Sequence, residues 1–131
     1  MKTILQIAVG LVVAVVITAG SAFASEQMAY SQTRFVRAQS AGDPVLVDIA
    51  ASWCPVCKVQ AGVVRQALRD PAFSHFIVLD VDFDSQKDVV RQFGANMQST
   101  LIIYKGKNEV GRIIGATDPE IIKAMMRRAT N

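Results

Sequence analysis

The chain predicts an α/β domain with a mixed, mostly parallel sheet flanked by helices, and three observations carry that reading. Val45 to Ala50 is a continuous apolar run broken only by Asp48, the pattern of a strand covered on both faces. Strand-length runs alternate with helix-length patterns through the middle of the chain, which implies parallel strands joined by crossovers. Near the end, Leu101 to Tyr104 and Glu109 to Ile114 flank Lys105-Gly-Lys-Asn108, a hairpin-sized gap with turn chemistry that makes the sheet mixed.

The first segment has a different character. Lys2 is followed by an uncharged run up to Glu26 with its apolar centre at Ile7 to Ile17, and Ala22-Phe-Ala24 then presents small residues at both positions a signal peptidase reads. Residues 1–24 are therefore expected to be a secretory signal peptide cleaved before Ser25, and residues 25–131 the domain. An uncleaved membrane anchor is the alternative, because the run is nearly long enough to span. Either way the domain is exported, and the periplasm is the expected compartment. Cleavage removes one lysine and no acid from a chain of net charge +3, and the basic residues form no block, so nucleic acid is not an expected partner.

From Glu26 to Ala41 the pattern reads as helical, with Met28, Phe35 and Ala38 facing inward. Gly42 stops it, and Asp43-Pro44 turns the chain into the first strand. A helix is expected from Pro55 to Leu68, ended by Asp70-Pro71. Phe76 to Val81 reads as a strand, followed by a helix to Phe93 capped by Asp84 or Ser85 and stopped at Gly94. Asp118-Pro119 supplies an N-cap and a first-turn proline for a last helix. Ile121, Ile122, Met125 and Met126 form its apolar face, and Arg127 and Arg128 suit its C-terminal dipole. The expected order is helix, strand, helix, strand, helix, strand, strand, helix.

Both cysteines lie where the Val45–Ala50 strand gives way to a helix. That places Cys54 at a helix N-terminus, where unpaired backbone N–H groups favour a thiolate, the nucleophilic form of the side chain. Cys57 follows one turn later on the same face, close enough to close a disulfide with Cys54. Cys54 then attacks a substrate disulfide and Cys57 resolves the mixed disulfide. Zinc sites share the C-x-x-C spacing but need four ligands, and His75 is the one remaining soft donor, so no metal is expected. A permanent structural bridge across so short a loop would constrain little of the unfolded chain.

Trp53-Cys-Pro-Val-Cys-Lys58 resembles the W-C-x-x-C-K signature of the thioredoxin family. Asp48, six residues before the first cysteine, matches that family's buried aspartate. Thr100-Leu-Ile-Ile-Tyr-Lys-Gly106 is similar to the segment after its cis-proline, and Gly111 to Gly115 to its last strand and closing glycine. The resemblance covers about residues 30 to 129 and implies a thioredoxin-like fold and a thiol–disulfide oxidoreductase. Within it, Cys54 is the attacking thiol, Cys57 the resolving thiol and Asp48 a proton acceptor. Burial of Asp48 should raise its pKa and suit it to take the Cys57 proton. Trp53 offers an apolar platform to substrate, and Pro55 and Val56 tune the pair. A proline in the first middle position resembles glutaredoxins and the oxidant DsbA, but position 56 lacks DsbA's histidine. A reductase is the expected direction.

Ser99 departs from the family, standing where the cis-proline should be. With Thr100 it shapes the loop that pairs with substrate, and a cis bond before a serine would cost about 3–4 kcal/mol. Gly62 replaces a helix-kinking proline, and Asp80 falls where some members carry a lysine near the aspartate; the plainer reading of Asp80 is a strand-edge charge. Met125 and Met126 read as core fillers. No organic cofactor is implied. The expected partners are protein disulfide or dithiol substrates and a membrane thiol reductase as electron donor, with the chain itself a monomer. Two rivals stand beside this reading: a Cu(I) metallochaperone using Cys54 and Cys57, and a non-catalytic interaction module with a permanent bridge.

Overall fold

The computed structural model describes residues 25–131, so the expected signal segment lies outside the described residues. Five strands form one sheet: β1 (Glu26–Ala29), β2 (Pro44–Ala50), β3 (Ile77–Asp82), β4 (Thr100–Lys105) and β5 (Asn108–Ile114). Four α-helices cover it: α1 (Gln32–Ala41), α2 (Pro55–Ala67), α3 (Lys87–Gln92) and α4 (Pro119–Thr130). The strand order is β1-β3-β2-β4-β5, with β1–β3 and β3–β2 paired parallel and β2–β4 and β4–β5 paired antiparallel. Among the described residues no helix is long and apolar enough to cross a membrane.

The alternation of side chains along β2 sorts the core into two layers. Val45, Val47 and Ile49 pack with Phe35 and Ala38 of α1 and with Val90 of α3 and Phe93 beyond it. Leu46 faces the other way, onto Val64 and Ala67 of α2 and Ile122, Met126 and Ala129 of α4. Asp48 shares that second face and is buried there. Its neighbours across the sheet are Asp80 on β3 and Leu101 on β4.

The start of the domain differs from expectation. Glu26 to Ala29 is not helical but an edge strand in register with β3, Met28 opposite Leu79. Ser31 is the reason the helix begins late: its backbone is extended, and its side chain accepts from the Arg34 N–H as an N-cap. Because β1 takes the edge, Asp80 lies on an interior strand, and the strand-edge reading is corrected. Gln27 of β1 donates to both Asp80 carboxylate oxygens, at 3.2 and 3.1 Å.

The turn after β3 is also built differently. Neither Asp84 nor Ser85 caps α3; Asp82 Oδ1 instead accepts from the Asp84 N–H, the Ser85 N–H and the Ser85 hydroxyl. Those bonds, the Ser85 pair foremost, hold the Asp82 carboxyl below its usual range. Helix α4 approaches β5 closely because Gly111 has no side chain there; a Cβ would overlap the Met125 side chain. Met126 is fully buried and Met125 packs against the same layer, in line with their reading as core fillers.

Candidate active site: a disulfide at the start of α2

Strand β2 ends at Ala50, the chain turns through Ala51-Ser52-Trp53, and Cys54 becomes the N-cap of α2 with Pro55 in the first turn. Proline suits that position because the N–H it lacks would have had no helical partner. Cys54 and Cys57 form a disulfide with Cα atoms 5.3 Å apart. Cys54 Sγ accepts from the Cys57 N–H at 3.1 Å, so the capping group of this helix is a sulfur. Both cysteines are buried, 4% and 3% exposed, against Ala51, Ala50 and Phe83.

The rim of the disulfide is apolar and open. Trp53 is 60% exposed, and Val56 and Val59 also face outward. The Trp53 indole N–H donates to Asp84 Oδ2 at 2.8 Å, which fixes the ring over the turn after β3. A shallow hollow of about 270 Å³ lies against Trp53, Cys54, Pro55, Lys58 and Val59. A larger hollow, about 460 Å³, lies between β1 and α1 and touches neither cysteine.

Ser99 meets the disulfide from the loop before β4. Its Oγ is 3.1 Å from Cys54 Sγ and 3.1 Å from Cys57 Sγ. The described residues contain no cis peptide bond, so Gln98–Ser99 is trans, and Ser99 takes a left-handed backbone with φ of 59°. Only glycine visits that region freely, so neighbours must hold the serine there. The Ser99 carbonyl accepts from the Gly115 N–H at 2.9 Å and from Gln60 Nε2 at 3.3 Å. Gln60 also donates to the Ala116 carbonyl at 2.9 Å. Thr100 is buried, and its hydroxyl donates to the Met97 carbonyl, so its side chain belongs to the loop and not to the rim.

On β2, Asp48 is 4% exposed and its Oδ1 has no hydrogen-bond partner among the described residues. Burial, and secondarily the nearby Asp80 carboxylate, push its pKa from an ordinary 3.8 up to about 7. Asp80 is itself raised, chiefly by burial, with Gln27 and Arg65 opposing. Of the residues expected at one centre, Trp53, Cys54, Pro55, Val56 and Cys57 are neighbours at the start of α2 and Ser99 Oγ meets both sulfurs, while Asp48 is buried on β2 on the side that α2 covers. Gln60, whose only sequence signal is a polar residue on the inward face of α2, and the Asp84 contact to Trp53 are not legible in the sequence.

A buried disulfide at a helix N-terminus, just past the end of a strand in a mixed sheet and beside an exposed tryptophan, defines a thioredoxin-type dithiol–disulfide centre. The thioredoxin family model matches residues 26–128. Thioredoxin-2 of Saccharomyces cerevisiae is 35% identical over 96 residues, covering 72% of this chain and 90% of that protein. A thioredoxin H-type of Fagopyrum esculentum is 32% identical, covering 68% of this chain and 75% of that one. The crystal structure of Trxlp from Edwardsiella tarda superposes with a TM-score of 0.73 at 43% identity, over 75% of this chain and 95% of that one. The chain belongs to the thioredoxin family. It is a thioredoxin-type thiol–disulfide oxidoreductase with a Cys54–Cys57 disulfide, and members of this family act on protein disulfides.

Proposed function

We propose that the chain works outside the cytoplasm as a reductase of protein disulfides, with Cys54 attacking, Cys57 resolving and Asp48 taking the resolving proton. The observation that carries the reading is the Cys54–Cys57 disulfide at the N-cap of α2, bordered by the exposed Trp53, Val56 and Val59. In the reduced enzyme the Cys54 thiolate attacks one sulfur of a substrate disulfide. That bond breaks, a Cys54–substrate disulfide forms, and the departing substrate sulfur leaves as a thiolate and is protonated by water. Cys57 then gives its proton to the Asp48 carboxylate and attacks Cys54 Sγ. The second substrate thiolate leaves, the Cys54–Cys57 disulfide closes, and two electrons have passed to the substrate.

A separate dithiol protein must return those electrons, and a membrane thiol reductase is the class that fits an exported domain. Export is supported by Lys2, the apolar run and Ala22-Phe-Ala24, with residues 1–24 as the leader and a monomeric domain as the product. The reducing direction is supported by Val56, which brings neither charge nor hydrogen bond to stabilise a thiolate as DsbA's histidine would. Trp53, Pro55 and Val56 form the surface a substrate segment meets, and the buried Ser99 and Thr100 shape the loop behind the pair. Turnover of a protein disulfide with a chemical dithiol as electron source tests the reading. Reduction that disappears in Cys54→Ser supports it, and wild-type protein that accelerates no reduction refutes it.

A further inference from the structure

We propose that Ser99 is a catalytic residue of this chain, its Oγ–H donating a hydrogen bond to the Cys54 thiolate. The inference rests on the disulfide-exchange reading above and adds a residue to it. Neither sulfur carries a hydrogen while the disulfide is closed, so the hydroxyl is the donor in the contacts at 3.1 Å to Cys54 Sγ and Cys57 Sγ. Ser99 is 5% exposed, and a buried hydroxyl needs partners; the sulfurs are the ones its Oγ has. Cys54 Sγ therefore faces two donors from segments far apart in sequence, the Cys57 N–H and the Ser99 hydroxyl.

The position is built, not incidental. Holding a serine at φ of 59° costs free energy, and the Gly115 N–H and Gln60 Nε2, both on the Ser99 carbonyl, keep the loop there. On reduction the disulfide takes up two electrons, Cys54 becomes a thiolate and Cys57 a thiol. One hydroxyl serves both: its hydrogen goes to the Cys54 anion, the stronger acceptor, and a lone pair accepts from the Cys57 S–H. A hydrogen bond that strengthens as sulfur becomes charged favours the thiolate over the disulfide and the thiol. Ser99 thus helps Cys54 both as nucleophile and as leaving group, with no change in the balance of the exchange.

Among the described residues, Lys58 lines the hollow against Cys54, Asp84 holds the Trp53 indole, and Asp48 and Asp80 face each other across β2 and β3; substitution of Ser99 leaves all four in place. The test is the pH titration of Cys54 thiolate absorbance in the reduced full chain carrying Cys57→Ala, with Ser99, Ser99→Ala or Ser99→Gly. Both substitutions remove the hydroxyl, and glycine accepts the left-handed backbone without strain. Loss of a hydrogen bond to a charged group should cut the thiolate fraction on the rising limb about tenfold to hundredfold, moving the midpoint up by roughly 1 to 2 pH units in both variants. A midpoint that stays put in either variant overturns the inference, since then the hydroxyl is not what stabilises the anion. Reduction of a protein disulfide by the wild-type chain is measured alongside. A Ser99-dependent midpoint without reduction refutes the functional reading alone; reduction with a Ser99-independent midpoint refutes this inference alone.

Discussion

Asp48→Asn should remove a pH dependence from the folding stability of the domain. A buried carboxyl with a pKa near 7 keeps its proton when the unfolded chain, with an ordinary value of 3.8, has lost it. The folded state then binds more protons than the unfolded one, so stability falls as pH rises from about 4 to about 7 and levels off above. The displacement from 3.8 to about 7 corresponds to about 4 kcal/mol at 1.36 kcal/mol per pH unit. An asparagine cannot ionise, so the variant should lack this decline. Relative to wild type it should gain nothing at about pH 4 and up to about 4 kcal/mol at about pH 8. Urea unfolding of the oxidised full chain of both proteins across that range gives the difference directly. The other carboxyls, Asp80 included, are common to both proteins. Parallel curves, with no divergence above about pH 5, would refute the assignment of the raised pKa to Asp48. Under the proposed mechanism the same variant should also turn over protein disulfides more slowly at neutral pH, because Asp48 is the proton acceptor proposed for Cys57.

Three further outcomes follow from particular contacts. Cys57→Ser should accumulate a covalent Cys54–substrate adduct on non-reducing gels, because the attack that releases it is gone. Gly111→Ala should destabilise the domain by about 1–3 kcal/mol in urea, the cost of forcing Met125 and α4 away from β5. Gln60→Leu should cost roughly 1–2 kcal/mol and speed hydrogen exchange at the Gly115 N–H, since the Ala116 carbonyl loses its donor and the Ser99 loop one of its two ties.

What could be read in the sequence follows from how local each cause is. Strand β2, the Cys54 cap and α4 carry their signals within a few residues: an apolar run, a cysteine before a proline, an Asp-Pro start. Residues Glu26 to Ala29 carry none. Four mixed residues fit a strand or a helix equally, and only pairing with β3 decides, a contact about 50 residues away in the chain. Asp82 outcompeted Asp84 and Ser85 because one carboxylate oxygen reaches both their N–H groups, a geometry that spacing alone does not resolve. Ser99 was visible as a departure, but its contact with both sulfurs depends on a left-handed backbone held by Gln60 and Gly115 from other elements. Asp80 was legible as an acid near Asp48; that it lies on an interior strand required β1.

The most direct test of the account is the reduction potential of the Cys54–Cys57 pair in the full chain, by equilibration against glutathione buffers. A reductase with Pro55 and Val56 between its cysteines and Ser99 on the thiolate should show one two-electron transition. Its midpoint should fall between the thioredoxin value of about −270 mV and the glutaredoxin range of about −200 to −230 mV. A midpoint near DsbA's value, about −120 mV, would contradict the reducing direction. A disulfide that does not equilibrate at all would contradict the redox role itself.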